Sequence, residues 1–247
     1  MRDEQSSKLV LDQVSHRYGD VAVLDNLTLE VKAGEVVVLV GPSGCGKTTI
    51  LNLLSGHLAP TSGKISREGE TRTVYQQDGL FPWLTVWENV GVGLRSVQDE
   101  KRRANEMTEL LELVNLKSFG NHYPHQLSGG MRQRAELARV LAGDSDILLM
   151  DEPFSALDYQ ARLTMRRELV RVLEQRPRTV VFVTHDIEEA AQLADRVLVL
   201  SKRPATICQE LPIAVPRPRG LADDEVVEAM RMILQALGLN NASGVLE

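Results

Sequence analysis

Aromatic residues make up only 4% of the 247 positions, and there are two cysteines. Cys45 and Cys208 stand far apart in the chain, so a disulfide framework is not expected and a reducing cytoplasm fits. No window approaches the 18 consecutive apolar residues of a membrane-spanning helix. The first residues, Met1-Arg2-Asp3-Glu4-Gln5, are polar and show no signal-peptide core. Positive charge is not in excess either: the formal net charge is −6, which argues against a nucleic-acid partner. Internal repeats and low-complexity tracts are absent. What remains, 43% apolar and 25% charged residues, is the balance of a globular chain long enough for a full hydrophobic core.

Residues 8–14 and 21–31 alternate apolar and polar positions and predict half-buried antiparallel strands. Continuous apolar runs at 35–40, Ile147 to Met150, Thr179 to Val183 and Val197 to Leu200 predict fully buried strands. Helical patterns follow at about 47–57, 158–175 and 187–194, and residues 60–75 look like turns joining short strands. From 85 to 142 the character is helical, with Leu110, Leu111, Leu113, Val114 and Leu116 on one face, and the block reads as a lobe of its own. Strands separated by helices in this way indicate an α/β fold with a mostly parallel sheet. Residues 211–219 are proline-rich and should be extended. A short amphipathic helix is then expected near 222–238, with Val226, Val227, Met230, Ile233, Leu234 and Leu237 as its apolar residues.

The segment Gly41-Pro42-Ser43-Gly44-Cys45-Gly46-Lys47-Thr48 has the form G-x-x-x-x-G-K-[ST] and lies between an apolar strand and a helix. Glycines let successive backbone N–H groups converge on phosphate oxygens, and the following helix turns its positive end toward the same anion. Lys47 is placed to reach the β- and γ-phosphates and Thr48 to ligate Mg²⁺, and Thr49, which opens the helix-like run, is counted with the loop as nucleotide-binding. Cys45 reads either as a reactive thiol or as filler of a tolerant position. A second signal is the run from Ile147 to Met150 ending in Asp151-Glu152. Two carboxylates then emerge at the C-terminal edge of a buried strand, where open α/β sheets bind ligands. Asp151 suits the metal shell, and Glu152 suits the general base that prepares attacking water.

The third signal, Leu127-Ser128-Gly129-Gly130-Met131-Arg132-Gln133-Arg134, is a serine and two glycines opening a helix, a second anion-ready N-terminus. Here the chain resembles the ATP-binding-cassette ATPases over roughly residues 8 to 220. That resemblance implies a P-loop NTPase core with an antiparallel β-lobe and an inserted α-helical signature lobe. Residues 1–220 would form the nucleotide-binding domain, the helical lobe lying at about 85–142, and residues 221–247 a short C-terminal helix and tail. It also implies a head-to-tail dimer, of two copies or of a paired cassette, in which Ser128, Gly129 and Gly130 of one subunit close over the ATP held by the other. Tyr18 matches the residue that stacks on adenine, Gln76 the glutamine that senses Mg²⁺ and attacking water, and His185 the switch histidine at the γ-phosphate. Asp158, in Ser155-Ala156-Leu157-Asp158, belongs to the loop that crosses to the partner. Met131 departs from the usual glutamine, and the short 59–75 connection suggests a trimmed β-lobe.

The run Gly79-Leu80-Phe81-Pro82-Trp83-Leu84-Thr85-Val86-Trp87 holds both tryptophans of the chain. It reads either as packed lobe core or as a groove that receives a short helix from a membrane subunit. Its wording, with Val215-Pro216-Arg217-Pro218-Arg219, is similar to the importer ATPases for nitrate, sulfonates and taurine. The resemblance therefore implies permease subunits contacted around Phe81, Pro82 and Trp83, a solute-binding protein reached indirectly, and a peripheral place on the cytoplasmic face of the membrane. A soluble cassette ATPase in DNA repair or translation, a nucleotide-binding regulator, and an ATPase of another transporter class are the competing readings.

Overall fold

The computed structural model describes residues 6–75 and 79–239. Strands β1 (Ser7–Tyr18) and β2 (Val21–Lys32) form an antiparallel hairpin. The turn is Gly19-Asp20, with Gly19 at φ 56°, where glycine carries no side-chain penalty. Leu9, Leu11, Val14, Leu27, Leu29 and Val31 are buried, the face that the alternation predicts. After β3 (Val36–Val40) and helix α1 (Lys47–Ser55), strand β4 (Ser62–Arg67) adds antiparallel to β1. The β-lobe is thus a three-stranded sheet of order β2-β1-β4. Strand β5 (Thr71–Val74) leaves it for the second sheet, so the connection at 60–75 feeds both.

That second sheet is completed by β6 (Ile147–Asp151), β7 (Thr179–Val183), β8 (Arg196–Leu200) and β9 (Ile207–Pro212), in the order β5-β6-β7-β3-β8-β9. All neighbours are parallel except β9, which runs antiparallel to β8. β9 was not expected. Its residues Ile207 to Glu210 are largely exposed and end at Pro212, and such an edge strand has no apolar run to announce it.

Every residue of β3, β6 and β7 is buried, because helices cover both faces. Val36, Val38, Val40, Leu148, Met150 and Phe182 face one cluster, while Val37, Leu39, Ile147, Leu149, Val181 and Val183 face the other with α1 and the hairpin.

The helical block comprises α2 (Val86–Val92), α3 (Glu100–Leu113) and α4 (Gly129–Leu141). A Thr85–Glu88 capping box starts α2, Asp99 caps α3 and Ser128 caps α4, each satisfying donors the first turn cannot. Val90, Leu94, Met107, Leu111 and Leu137 join the same buried cluster as Val38 and Phe182. The core of the block is therefore continuous with one face of the sheet.

Helices α5 (Tyr159–Gln175), α6 (Ile187–Leu193) and α7 (Asp224–Ala236) complete the chain. In α7, Val226, Ala229 and Ile233 are buried, at three- and four-residue spacing, whereas Val227, expected among the apolar residues, is 49% exposed and falls off the buried stripe. The proline-rich segment before it is fastened to α6. Arg217 pairs with Asp195 at 3.1 Å, and the buried Arg219 donates to the carbonyls of Ala191 and Ala194 at 2.9 and 2.6 Å. These two carbonyls lie at the negative end of α6. Burial, with Arg217 alongside, pushes the Arg219 guanidinium down to about 10.

Phe182 is fully buried, with its ring 5.7 Å from that of Phe154. Phe182→Ala leaves a cavity between sheet and helices, and the expected loss is about 3–5 kcal/mol. Urea unfolding checks this as a lowered midpoint at unchanged slope.

Candidate functional site

β3 delivers the chain to a loop that only glycine can complete at two points. Gly44 has φ 72° and Gly46 has φ 124°. A Cβ on Gly46 would stand 3.0 Å from side-chain atoms of both Val23 and Leu24, so the hairpin presses directly on the loop. No side chain caps α1 and no acid lies in its first turn, which leaves its leading N–H groups for an anion. Lys47 is buried, and its Nζ donates to the carbonyls of Gly41 and Pro42 at 2.8 and 3.0 Å. Cys45 is 2% exposed and packs in the core beneath the loop. It fills space there, and the reactive-thiol reading fails.

Asp151 ends β6 and is 5% exposed. Burial raises its pKa above the usual carboxylate range, against a hydrogen bond from Thr48 and the nearby Lys47 charge, with Glu152 adding to the rise. Glu152 follows at φ 48°, an uncommon conformation for a non-glycine residue, held by its N–H on the Val183 carbonyl at 3.0 Å. Holding it costs on the order of 1 kcal/mol, and such strain clusters at functional sites. Its Oε1 lies 3.2 Å from Nδ1 of His185.

His185 leaves the end of β7 just before Asp186, the N-cap of α6. Arg162 and Arg166 of α5 both grip Asp186, at 3.1 and 2.9 Å, and so locate the histidine.

These groups share one cavity of about 510 Å³, lined among others by Tyr18, Ser43, Lys47, Asp151, Glu152 and His185. Gly44, Gly46, Thr48 and Thr49 also line it. Gly41, Pro42 and Cys45 do not line it. Tyr18 is 49% exposed at the end of β1, its ring edge-on to His16 at 4.8 Å. The donor set suits a hard cation: Asp151 is a buried carboxylate and lines the cavity together with Thr48, and Mg²⁺ takes one or two such oxygens beside those of a phosphate. Among the described residues there is no cluster of three or more His, Cys, Asp or Glu that would hold a metal without that phosphate.

Ser128, Gly129 and Gly130 do not line this cavity. Ser128 caps α4, its Oγ accepting from the Met131 N–H at 3.3 Å. Gly130 packs on the 155–157 loop, where a Cβ would come 3.1 Å from the Ala156 carbonyl. Asp158 caps α5 through the Ala161 N–H at 2.9 Å and does not line the cavity either. Met131 is half-buried against the core, which accounts for an apolar residue at the fifth signature position. Gln76 lies outside the described residues.

Two residues of α4 that bear on the site escaped sequence reading. Gln133 donates to the Glu152 carbonyl at 3.0 Å and accepts from the Ala156 N–H at 2.9 Å. Glu136 accepts from the N–H groups of Tyr75 and Gly79, at 3.0 and 3.1 Å, on either side of residues 76–78. Both are buried. A buried polar residue looks, in sequence, like any other polar residue on an amphipathic helix.

The family model of the ABC transporter matches residues 24–155. The chain is 40% identical to an uncharacterized ABC transporter ATP-binding protein of Methanocaldococcus jannaschii, over 96% of this chain and 93% of that one. It is 45% identical to the aliphatic sulfonates import ATP-binding protein of Rhodococcus jostii, over 84% of each. Among solved structures, an ATP-binding cassette in a dimeric, post-hydrolysis state with ADP and Pi superposes with a TM-score of 0.75. It is 32% identical, and the match covers 86% of this chain and 99% of that one.

Because ionised Asp151 is disfavoured by burial, its charge costs the fold above the unfolded-state pKa, and the cost fades as pH falls through the raised native value. Asp151→Asn should therefore raise the unfolding midpoint of the chain alone at pH 7, at roughly 2–4 °C per kcal/mol for this size, and the gain should disappear toward pH 3. A scanning calorimetry series over pH checks the sign.

Proposed function

The chain belongs to the ABC transporter ATPase family, and on that premise we propose that it is the ATP-hydrolysing subunit of an importer for sulfonate-, taurine- or nitrate-like solutes. The observation that carries the mechanism is that Ser128 does not line the cavity that holds Lys47. Two anion-ready helix starts serve one triphosphate only if a second subunit brings its own Ser128, Gly129 and Gly130 to it. A head-to-tail pair meets that need, and Asp158 crosses in the same contact.

In this reading Tyr18 stacks on adenine, and the 41–49 loop wraps the phosphates. Thr48 and Asp151 hold Mg²⁺ together with Gln76; when bound, the ion offsets phosphate charge. Glu152 takes the proton of the attacking water, with His185 against its carboxylate orienting the γ-phosphate side. Binding of ATP closes the pair and hydrolysis reopens it.

Load is passed through the aromatic run. Trp83 is 70% exposed, so the packed-core reading does not hold for it. Phe81 lies 5.5 Å from Trp83, and the Arg139 guanidinium sits 5.5 Å over the Phe81 ring. Arg139 in turn reaches Glu136 at 3.7 Å, and Glu136 holds the backbone flanking residues 76–78. Beside this run, Leu84, Trp87, Val92, Arg103 and Met107 line a groove of about 420 Å³, a shape that suits a short helix of a permease. Among the described residues no helix is long and apolar enough to cross a membrane, which is compatible with separate permease chains and a peripheral place on the cytoplasmic face. The solute is chosen by those partners and a solute-binding protein.

Glu152→Gln should keep ATP binding and lose turnover by roughly 10²–10⁴-fold. In sedimentation it should run as a dimer with ATP and as a monomer without. Adding Ser128→Arg should abolish that dimer; a monomeric Glu152→Gln chain saturated with ATP removes the shared-site reading. Replacing Phe81 and Trp83 by alanine should leave ATP affinity unchanged while the co-expressed permease no longer co-purifies.

A further inference from the structure

Arg203 lies on the turn between β8 and β9, outside every motif above, yet it lines the same cavity as Lys47 and Asp151. Its Nε and Nη2 both donate to the Gly44 carbonyl, at 3.1 and 2.6 Å. The turn that carries it is pinned. The Ala205 N–H donates to the Val23 carbonyl at 2.8 Å, and the Asp25 N–H donates to the Ala205 carbonyl at 3.1 Å. Within the turn, the Ser201 hydroxyl accepts from the Thr206 N–H at 2.9 Å. Val23 and Leu24 are the residues that press on Gly46. The hairpin, the β8–β9 turn and the phosphate loop thus form one contact, and Arg203 is its charged member.

An arginine has five N–H donors in a rigid fork, and its charge persists at any working pH. Two atoms of the fork are committed to one loop carbonyl. Among the described residues Arg203 forms no ion pair, so no carboxylate within 4 Å neutralises it. Its side chain is exposed. An exposed, unneutralised guanidinium on the wall of a phosphate cradle is suited to a polyphosphate, the ligand that best matches a planar charged fork. Lys47 acts from the floor of the loop and Arg203 from its rim.

We propose that Arg203 is a nucleotide-binding residue. It holds Gly44 in its left-handed conformation through the carbonyl and carries a second positive charge to the phosphates of the bound nucleotide. The inference rests on the ATP-site reading above and adds a residue from the last sheet edge to it.

The test is titration calorimetry of the full chain with ADP and with ATP plus Mg²⁺ at several sodium chloride concentrations. Arg203→Met, which keeps length without charge, should weaken both nucleotides by roughly tenfold or more and flatten the dependence of Kd on salt, since screening acts only on charges that are present. Arg203→Lys should recover most of the affinity and the salt dependence. Unchanged affinity in Arg203→Met overturns the proposal. So does equal weakening in Arg203→Met and Arg203→Lys with salt dependence as in the parent, which makes Arg203 only a pin for the loop. Lys47→Ala separates the two levels: if it too binds nucleotide normally, the site reading has failed rather than the role of Arg203.

Discussion

Three neighbouring strands ending at one level set everything else in this protein. In the parallel register Leu39 pairs with Val183, and Val183 pairs with Asp151. The next residues of each chain therefore emerge side by side: the phosphate loop after β3, Glu152 after β6, and Thr184-His185 after β7. Each strand is buried on both faces, so none can slide without moving apolar side chains from one cluster to the other. In this register Oε1 of Glu152 comes within 3.2 Å of Nδ1 of His185.

Around that edge, charge is placed by packing. Asp151 is kept ionisable in a buried position by the Thr48 hydroxyl and the Lys47 ammonium, while the lysine is itself held by two loop carbonyls. His185 is located indirectly, through Asp186 and the two arginines of α5. Helix α4 contributes from behind, with Gln133 bonded to the turn that contains Glu152, and Glu136 bonded to the backbone on both sides of residues 76–78. The helix that begins at Ser128 is therefore tied to the backbone of Glu152 in its own subunit. In the dimer proposed here, its N-terminus would serve the nucleotide of the other, and motion of α4 would reach both.

Local patterns made much of this legible. The phosphate loop needs glycines next to each other in sequence, and the carboxylates follow an apolar run directly, so Gly46, Lys47, Asp151 and Glu152 could be named without coordinates. Signals with long-range causes were not legible. For Trp83 the sequence leaves two readings open, packed core or partner groove, and only the surface decides between them, with the ring 70% exposed. Val227 matches a helical apolar pattern but faces outward, since α6 covers only one stripe of α7. Arg203 had no motif; its meaning comes from a turn pinned against the hairpin at Val23.

By itself, the amino-acid sequence determined the α/β class, the buried strands and the helices between them apart from the edge strand β9, and the identity of the groups at the loop and the strand ends. These follow from residues within a few positions of one another, where backbone geometry and side-chain period act directly. Only the tertiary structure decided which alternate residues of β3, β6 and β7 face the helical block and which face α1. It also decided that the β8–β9 turn reaches the phosphate loop. The reason is that a strand buried on both faces carries no polar side to mark its orientation, and contacts across the sheet edge depend on register rather than on any neighbouring residue.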